Sequence, residues 1–157
     1  MEAVINNNSR VLGIDYGKRY VGVAISDPLS ITAQGLCTIY RKRADKQRQT
    51  LSSLSSICEE YSVSSIVIGL PKNLDGSENE RCEHTYDFAA LLHKKTGLPI
   101  YLWDERLTTV AGDREMDFLG IKNKDKKSHS DELAAMMILQ GFMDSNAMGV
   151  AKTPYLG

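Results

Sequence analysis

Apolar positions along this chain fall into short runs whose period shifts between two and nearly four, and those shifts mark out its elements. Val11, Leu12 and Ile14 lead into Asp15, Gly17 permits a turn at positive φ, and Val21, Val23, Ala24 and Ile25 resume an extended pattern. The pattern predicts a hairpin with a carboxylate at its mouth. Ser26-Asp27-Pro28 ends the second strand, and residues 31–40 offer a third, less regular one. The basic run of Arg41, Lys42, Arg43, Lys46 and Arg48 then opens a first helix with a solvated end, and Leu51, Leu54, Ile57, Cys58 and Tyr61 form its apolar stripe.

Residues 65–70, SIVIGL, lack alternation, which predicts a strand buried on both faces and therefore parallel and central. Pro71 and Asp75-Gly76 impose a loop, a second helix covers about 78–96, and Gly97 with Pro99 supplies its stop. A short strand over 100–103 ends in Asp104-Glu105-Arg106. A third helix over 109–119 closes at Gly120, residues 121–128 read as a polar basic loop, and a last helix of about 130–144 is apolar nearly all round. A strand meander followed by βα units predicts an α/β layered domain, a mixed sheet with helices on its faces. Residues 1–10 read as a flexible leader, 11–144 as one domain and 145–157 as a tail.

Composition narrows this further. With 157 residues, 42% apolar and 25% charged, the chain suits a single globular domain. A formal net charge of −1 excludes a global positive field for a polyanion and leaves only local basic patches. Cys37, Cys58 and Cys82 lack CxxC spacing and fall in apolar segments, as reduced thiols do and disulfide frames or zinc sites do not. There is no 18-residue apolar run, and MEAVINNNSR has no signal-peptide h-region, so a cytoplasmic protein with no membrane partner is expected.

Three acids stand at predicted element ends: Asp15 after the first strand, Glu105 after the last strand, and Asp131 at the start of the terminal helix. Parallel central strands end on one side of a sheet, where ligands of open α/β folds usually bind. Clustered carboxylates repel one another and become tolerable around a hard divalent cation, Mg2+ or Mn2+, which points towards phosphodiester hydrolysis. Each acid also has a structural reading. Asp15 suits a turn residue bonded to backbone amides, Glu105 a partner for Arg106, and Asp131 a capping box with Ser128. His129 is either a proton carrier, a phosphate contact or simply exposed, and His84 and His93 lack the spacing of a zinc helix.

Several motifs occur in order: Asp15-Tyr16-Gly17, Gly22-Val23-Ala24, Ser26-Asp27-Pro28 and Gly69-Leu70-Pro71-Lys72-Asn73-Leu74-Asp75-Gly76-Ser77. Trp103-Asp104-Glu105-Arg106-Leu107-Thr108-Thr109 follows, then Asp131 with Ala134-Ala135 and Ile138-Leu139-Gln140. Over residues 11–144 the chain resembles the YqgF family, also called RuvX. The resemblance implies an RNase H-like fold, a mixed five-stranded sheet with helices on both faces. It also implies a metal-dependent nuclease, either processing the 5′ end of pre-16S rRNA in ribosome biogenesis or resolving Holliday junctions. Carried over by position, its catalytic and metal-binding acids fall on Asp15, Glu105 and Asp131. With that activity, Lys18, Arg19, Arg81, Arg106, Lys124, Lys126 and Lys127, together with the basic run over 41–48, become candidate phosphate contacts. The partner would be structured RNA or branched DNA, and the protein a monomer or homodimer. The chain departs from the family pattern at Lys18, Tyr20 and Asn79. Two other classes stay open: a catalytically silent nucleic-acid-binding domain, which three intact acids oppose, and a sugar-kinase-like ATPase, which the length opposes.

Overall fold

Strands β1 (Arg10–Tyr16) and β2 (Tyr20–Ser26) make the expected hairpin, with Asp15 opposite Gly22 and Tyr16 opposite Val21. The computed structural model describes residues 10–43, 46–107, 123–147 and 154–157, without the side chains of 107, 123–130 and 147. The expected positive φ at Gly17 is not found. The Gly17 amide instead donates to the Tyr20 carbonyl at 3.0 Å, and a Cβ would stand 2.6 Å from that oxygen. Glycine is required there for room, not for handedness. Strand β3 (Ala33–Tyr40) extends the meander antiparallel to β2. The Asp27 carboxylate closes the connection by accepting the amides of Leu29, Ile31 and Thr32 at 3.2, 2.7 and 2.8 Å.

Strand β4 (Val63–Leu70) runs parallel to β1, and β5 (Ile100–Asp104) runs parallel to β4. The sheet is five-stranded and mixed, in the order β3-β2-β1-β4-β5. Helices α1 (Arg48–Glu60) and α2 (Glu80–Thr96) pack on one face, where Leu12, Ile14, Val23, Ile66 and Ile68 meet Leu54, Phe88 and Leu92. Helix α3 (Asn123–Ala147) packs on the other, where Val11, Ala24 and Val67 meet Ala135, Ile138, Leu139 and Phe142. The α/β architecture and the helices on both faces are as the sequence predicts.

The two faces are unequal. Period-two alternation gives α1 and α2 the large aliphatic residues and gives α3 a row of small ones, Gly35, Ala24, Gly22, Gly13 and Gly69, across four neighbouring strands. A Cβ on Gly13 would stand 2.7 Å from Leu139 Cβ, and one on Gly22 would collide with the Asp131 carbonyl oxygen. The absence of side chains lets α3 approach the sheet at backbone distance.

Element boundaries differ from expectation in four places. Helix α1 begins at Arg48, so Arg41 precedes it and is 3% exposed, with its guanidinium drawn inward. Helix α2 begins at Glu80 because the Asn79 side chain caps it, accepting the Cys82 amide at 3.1 Å. Helix α3 starts at Asn123, so the basic segment expected as a loop forms its first turns, and Asp131 lies well inside the helix where neither dipole nor capping box accounts for it. The segment expected as a tail is partly ordered: α3 runs to Ala147, and Ile100 bridges Leu156, with Ile100 N donating to Leu156 O at 2.8 Å. The expected helix over 109–119 lies outside the described residues, as does the expected leader over 1–10 except for Arg10, which opens β1. Cys37, Cys58 and Cys82 are free thiols, and burial pushes Cys58 up to about 11.

Gly13→Ala is expected to destabilise the protein by about 1–3 kcal/mol through overpacking against α3. Gly35→Ala, whose Cβ meets flexible side-chain ends at 3.3 Å, should change stability by less than about 1 kcal/mol. Urea denaturation midpoints of the two variants check the contrast.

Candidate functional site

Alternation that sends Val11 and Gly13 towards α3 sends Asp15, at the end of β1, the same way. On β5, Tyr101 and Trp103 face α3, and Glu105 follows in a single 3-10 turn, Glu105–Leu107. Glu105 fits there because Gly69 on β4 has no side chain: a Cβ would lie 2.6 Å from Glu105 Cγ. From above, α3 lays Asp131 over Gly22, the cross-strand partner of Asp15. Three elements thus bring Asp15, Glu105 and Asp131 to one end of the sheet, on one face.

Their electrostatics report the crowding. Burial, above all, holds the Asp15 carboxyl well above the usual carboxylate range. A side-chain hydrogen bond with Glu105 and the Glu105 charge add to this, while the Arg81 charge opposes it. Two carboxyl groups can share a hydrogen bond only through a proton. Asp131 is raised too, first by burial and then by the charges of Asp15 and Glu132. Among the described residues, no three His, Cys, Asp or Glu side chains are arranged as a ready metal cage. Asp15 and Glu105 close on each other instead. The donor set is all carboxylate oxygen, the kind that suits a hard divalent cation, and its raised acids are the repulsion such an ion relieves.

Of the candidate phosphate contacts, Lys18 and Arg81 come together. They line a cleft of about 530 Å³ at the hairpin turn that follows Asp15, together with Tyr16, Gly17, Arg41, Gln47, His84 and one acid, Asp87. Arg19 is exposed, and its carbonyl accepts the Arg41 amide at 2.7 Å. Arg106 is turned elsewhere. Its guanidinium grips Asp104, the nearest contact being 2.6 Å from Nη2 to Oδ2, and donates to the Leu74 carbonyl at 3.3 Å. The expected alternative of a Glu105–Arg106 pair is therefore replaced by Asp104–Arg106, which leaves Glu105 for Asp15. The side chains of Lys124, Lys126, Lys127 and His129 lie outside the described residues. His84 sits 3.8 Å from Glu80, and His93 Nδ1 is 2.8 Å from the Leu98 carbonyl.

Sequence reasoning missed the support beneath the hairpin turn. Tyr16 stacks on Phe88 with ring centroids 4.0 Å apart, and Arg41 lies over its ring at 4.8 Å. Arg41 Nη1 donates to the Gly17 carbonyl at 2.7 Å and Nη2 to Gln47 Oε1 at 3.1 Å, while Gln47 donates to the Tyr16 hydroxyl at 2.7 Å. Alternation places Tyr16 on the large-residue face; no signal in the sequence distinguishes Arg41 from its basic neighbours.

The fold these elements make is RNase H-like. Two structures of RuvC from Thermus thermophilus superpose on it with TM-scores of 0.55 and 0.56, at 18% and 15% identity. They cover 93% and 92% of this chain and 99% of the RuvC chains, and the first is a complex with a Holliday junction substrate. The family model described as "RuvX: Holliday junction resolvase" matches residues 9–145, and the chain belongs to that family. A protein of Agathobacter rectalis named "Putative pre-16S rRNA nuclease" is 51% identical over 86% of this chain and 94% of its own length. Proteins of the same name from Lachnospira eligens and Clostridium novyi are 48% and 46% identical, each over 87% of this chain and over 97% and 98% of theirs.

In the native state Asp15 and Asp131 keep protons that the unfolded chain releases. Their contribution therefore destabilises the protein as pH rises from the ordinary carboxylate range through their raised values. Asp15→Asn removes this dependence at one position. Thermal melting without divalent cations is expected to show a higher midpoint for the variant at about pH 8, and the gain should shrink towards zero near pH 4. An equal gain at both pH values would show that the carboxyl proton is not its source.

Proposed function

We propose that this protein is a divalent-metal-dependent nuclease that hydrolyses phosphodiester bonds in structured RNA, its substrate being the 5′ end of pre-16S rRNA. The observation that carries the reading is the convergence of Asp15 and Glu105 at one sheet end with Asp131 overhead on α3. Membership of a family whose close relatives bear the pre-16S rRNA nuclease name supports it.

Asp15, Glu105 and Asp131 would hold the cation, magnesium or manganese. When bound, such an ion supplies a Lewis acid for the phosphoryl oxygens and an activated water. The remaining work belongs to the chain. Asp15, at the end of β1, and Glu105, in the turn that follows β5, present hard oxygen donors. Lys18 and Arg81, in the cleft at the hairpin turn, hold the phosphates that flank the scissile one and offset charge that builds on it. Lys124, Lys126 and Lys127 lie in the first turns of α3, the helix that carries Asp131. Arg106, locked to Asp104, contributes by fixing the loop that carries Leu74 and Gly76.

The family's own description favours a second reading, a junction-selective DNA nuclease, and one experiment separates the two. A single preparation is given a precursor rRNA fragment and a four-way DNA junction, each with magnesium or manganese. RNA cleavage is expected, with Asp15→Asn lowering the rate at least about a hundredfold while circular dichroism stays native. Full activity in that variant sinks the mechanism, and cutting of the junction alone assigns the activity to DNA.

A further inference from the structure

Residues 41–48 carry five of the chain's 19 Lys and Arg residues against one acid, Asp45, in a protein whose net charge is −1. The five cations border a second cleft of about 540 Å³ between the end of β3 and the first turn of α1. Tyr40, Lys42, Arg43, Lys46 and Arg48 line it and, among the described residues, no acid does. Helix α1 is built against electrostatic preference here. Its cap residue Gln47 makes no side-chain cap hydrogen bond, its first turn holds no acid, and Arg48 sits at the positive end of the helix dipole. An anion in the cleft would relieve both the repulsion among the cations and the uncapped amides.

Beside these charges stand two exposed aromatic rings. Tyr40 is 61% exposed and Tyr20 43%, and the two face each other across β3 and β2 with centroids 5.6 Å apart. Tyr20 lies two residues before Gly22, the partner of Asp15. Alternation therefore sets it on the same face as the acids, about 7 Å further along the strand. Arg41 lines both this cleft and the one at the hairpin turn, so the two are contiguous at one end of the sheet.

We propose that this cleft and the Tyr20–Tyr40 pair form a docking track for the unpaired RNA strand that flanks the cleavage point. Its phosphates rest on Lys42, Lys46 and Arg48, and a base stacks on Tyr40. The assignment rests on the nuclease reading above and adds the conformation of the substrate. Stacking needs an open base face, which a single strand offers and the paired arms of a four-way junction do not.

Fluorescence anisotropy tests this with the full chain in EDTA, using a short unstructured RNA, a blunt RNA duplex and a four-way DNA junction. Tyr40→Ala is expected to weaken single-strand binding about fivefold or more, with Tyr40→Phe restoring it and duplex binding changed less than about twofold. Lys46→Gln should lower the slope of log affinity against log salt by about 0.7 for the single strand. Unchanged single-strand affinity in Tyr40→Ala, or an equal loss for duplex and junction, overturns the proposal. Should Tyr40→Ala melt early, Tyr20→Ala and Lys46→Gln carry the test, and loss of neither stacking nor salt slope overturns it as well. A Tyr40 effect without any metal-dependent cleavage would refute the nuclease reading and leave the track standing. Cleavage with a silent Tyr40→Ala would refute the track alone.

Discussion

The candidate site depends on how closely α3 can lie against the sheet. Dispersion forces reward that approach only where no side chain intervenes, and the face beneath α3 is floored by Gly13, Gly22, Gly35 and Gly69. The opposite face carries Leu12, Ile14, Val23, Ile66 and Ile68 and holds α1 and α2 further off. This asymmetry does two things at once. It supplies a dry contact for Ala135, Ile138 and Leu139, and it lowers Asp131 onto the strand pair that carries Asp15. Enlarging the floor therefore moves an acid as well as a helix.

A second constraint is electrostatic, and it has opposite signs at neighbouring places. Asp15 and Glu105 are held together where two negative charges are unfavourable, which, with burial, holds the Asp15 carboxyl well above the usual carboxylate range. A short distance away, cations crowd the uncapped start of α1. Each arrangement is unfavourable in the free protein and is held in place by the packing of the sheet against its helices. On the proposed function the two tensions are complementary: a cation with a phosphodiester discharges the first, and the flanking phosphates discharge the second.

Much of this was legible in the sequence because it follows from periodicity. The hairpin, the buried run that became β4, the stop at Gly97 and the meeting of Asp15 with Glu105 come from local pattern plus the rule that parallel strands finish together, whereas Asp131, which lies inside α3 and not at its start, was marked out by the family resemblance. What escaped detection depends on tertiary partners. A basic run does not reveal that Arg41 turns inward onto Tyr16, since Lys42 and Arg43 beside it carry the same charge. The polar stretch before Asp131 has no apolar stripe, yet it continues α3 because helical hydrogen bonding propagates from the packed portion. Gly17 and the motif glycines looked like turn residues, whereas the structure uses Gly17 for clearance.

The pairing of Tyr155 and Leu156 with Ile100 bears on how copies of this chain can meet. Strand β5 borders the sheet, and its outer hydrogen-bonding groups at Ile100 are already taken up by the chain's own end, with Leu156 packed into the core. The opposite border, β3, has no such cover among the described residues. A strand added at Ile100 would have to displace these bonds, whereas one added along β3 would lie against the same margin that bears Tyr40.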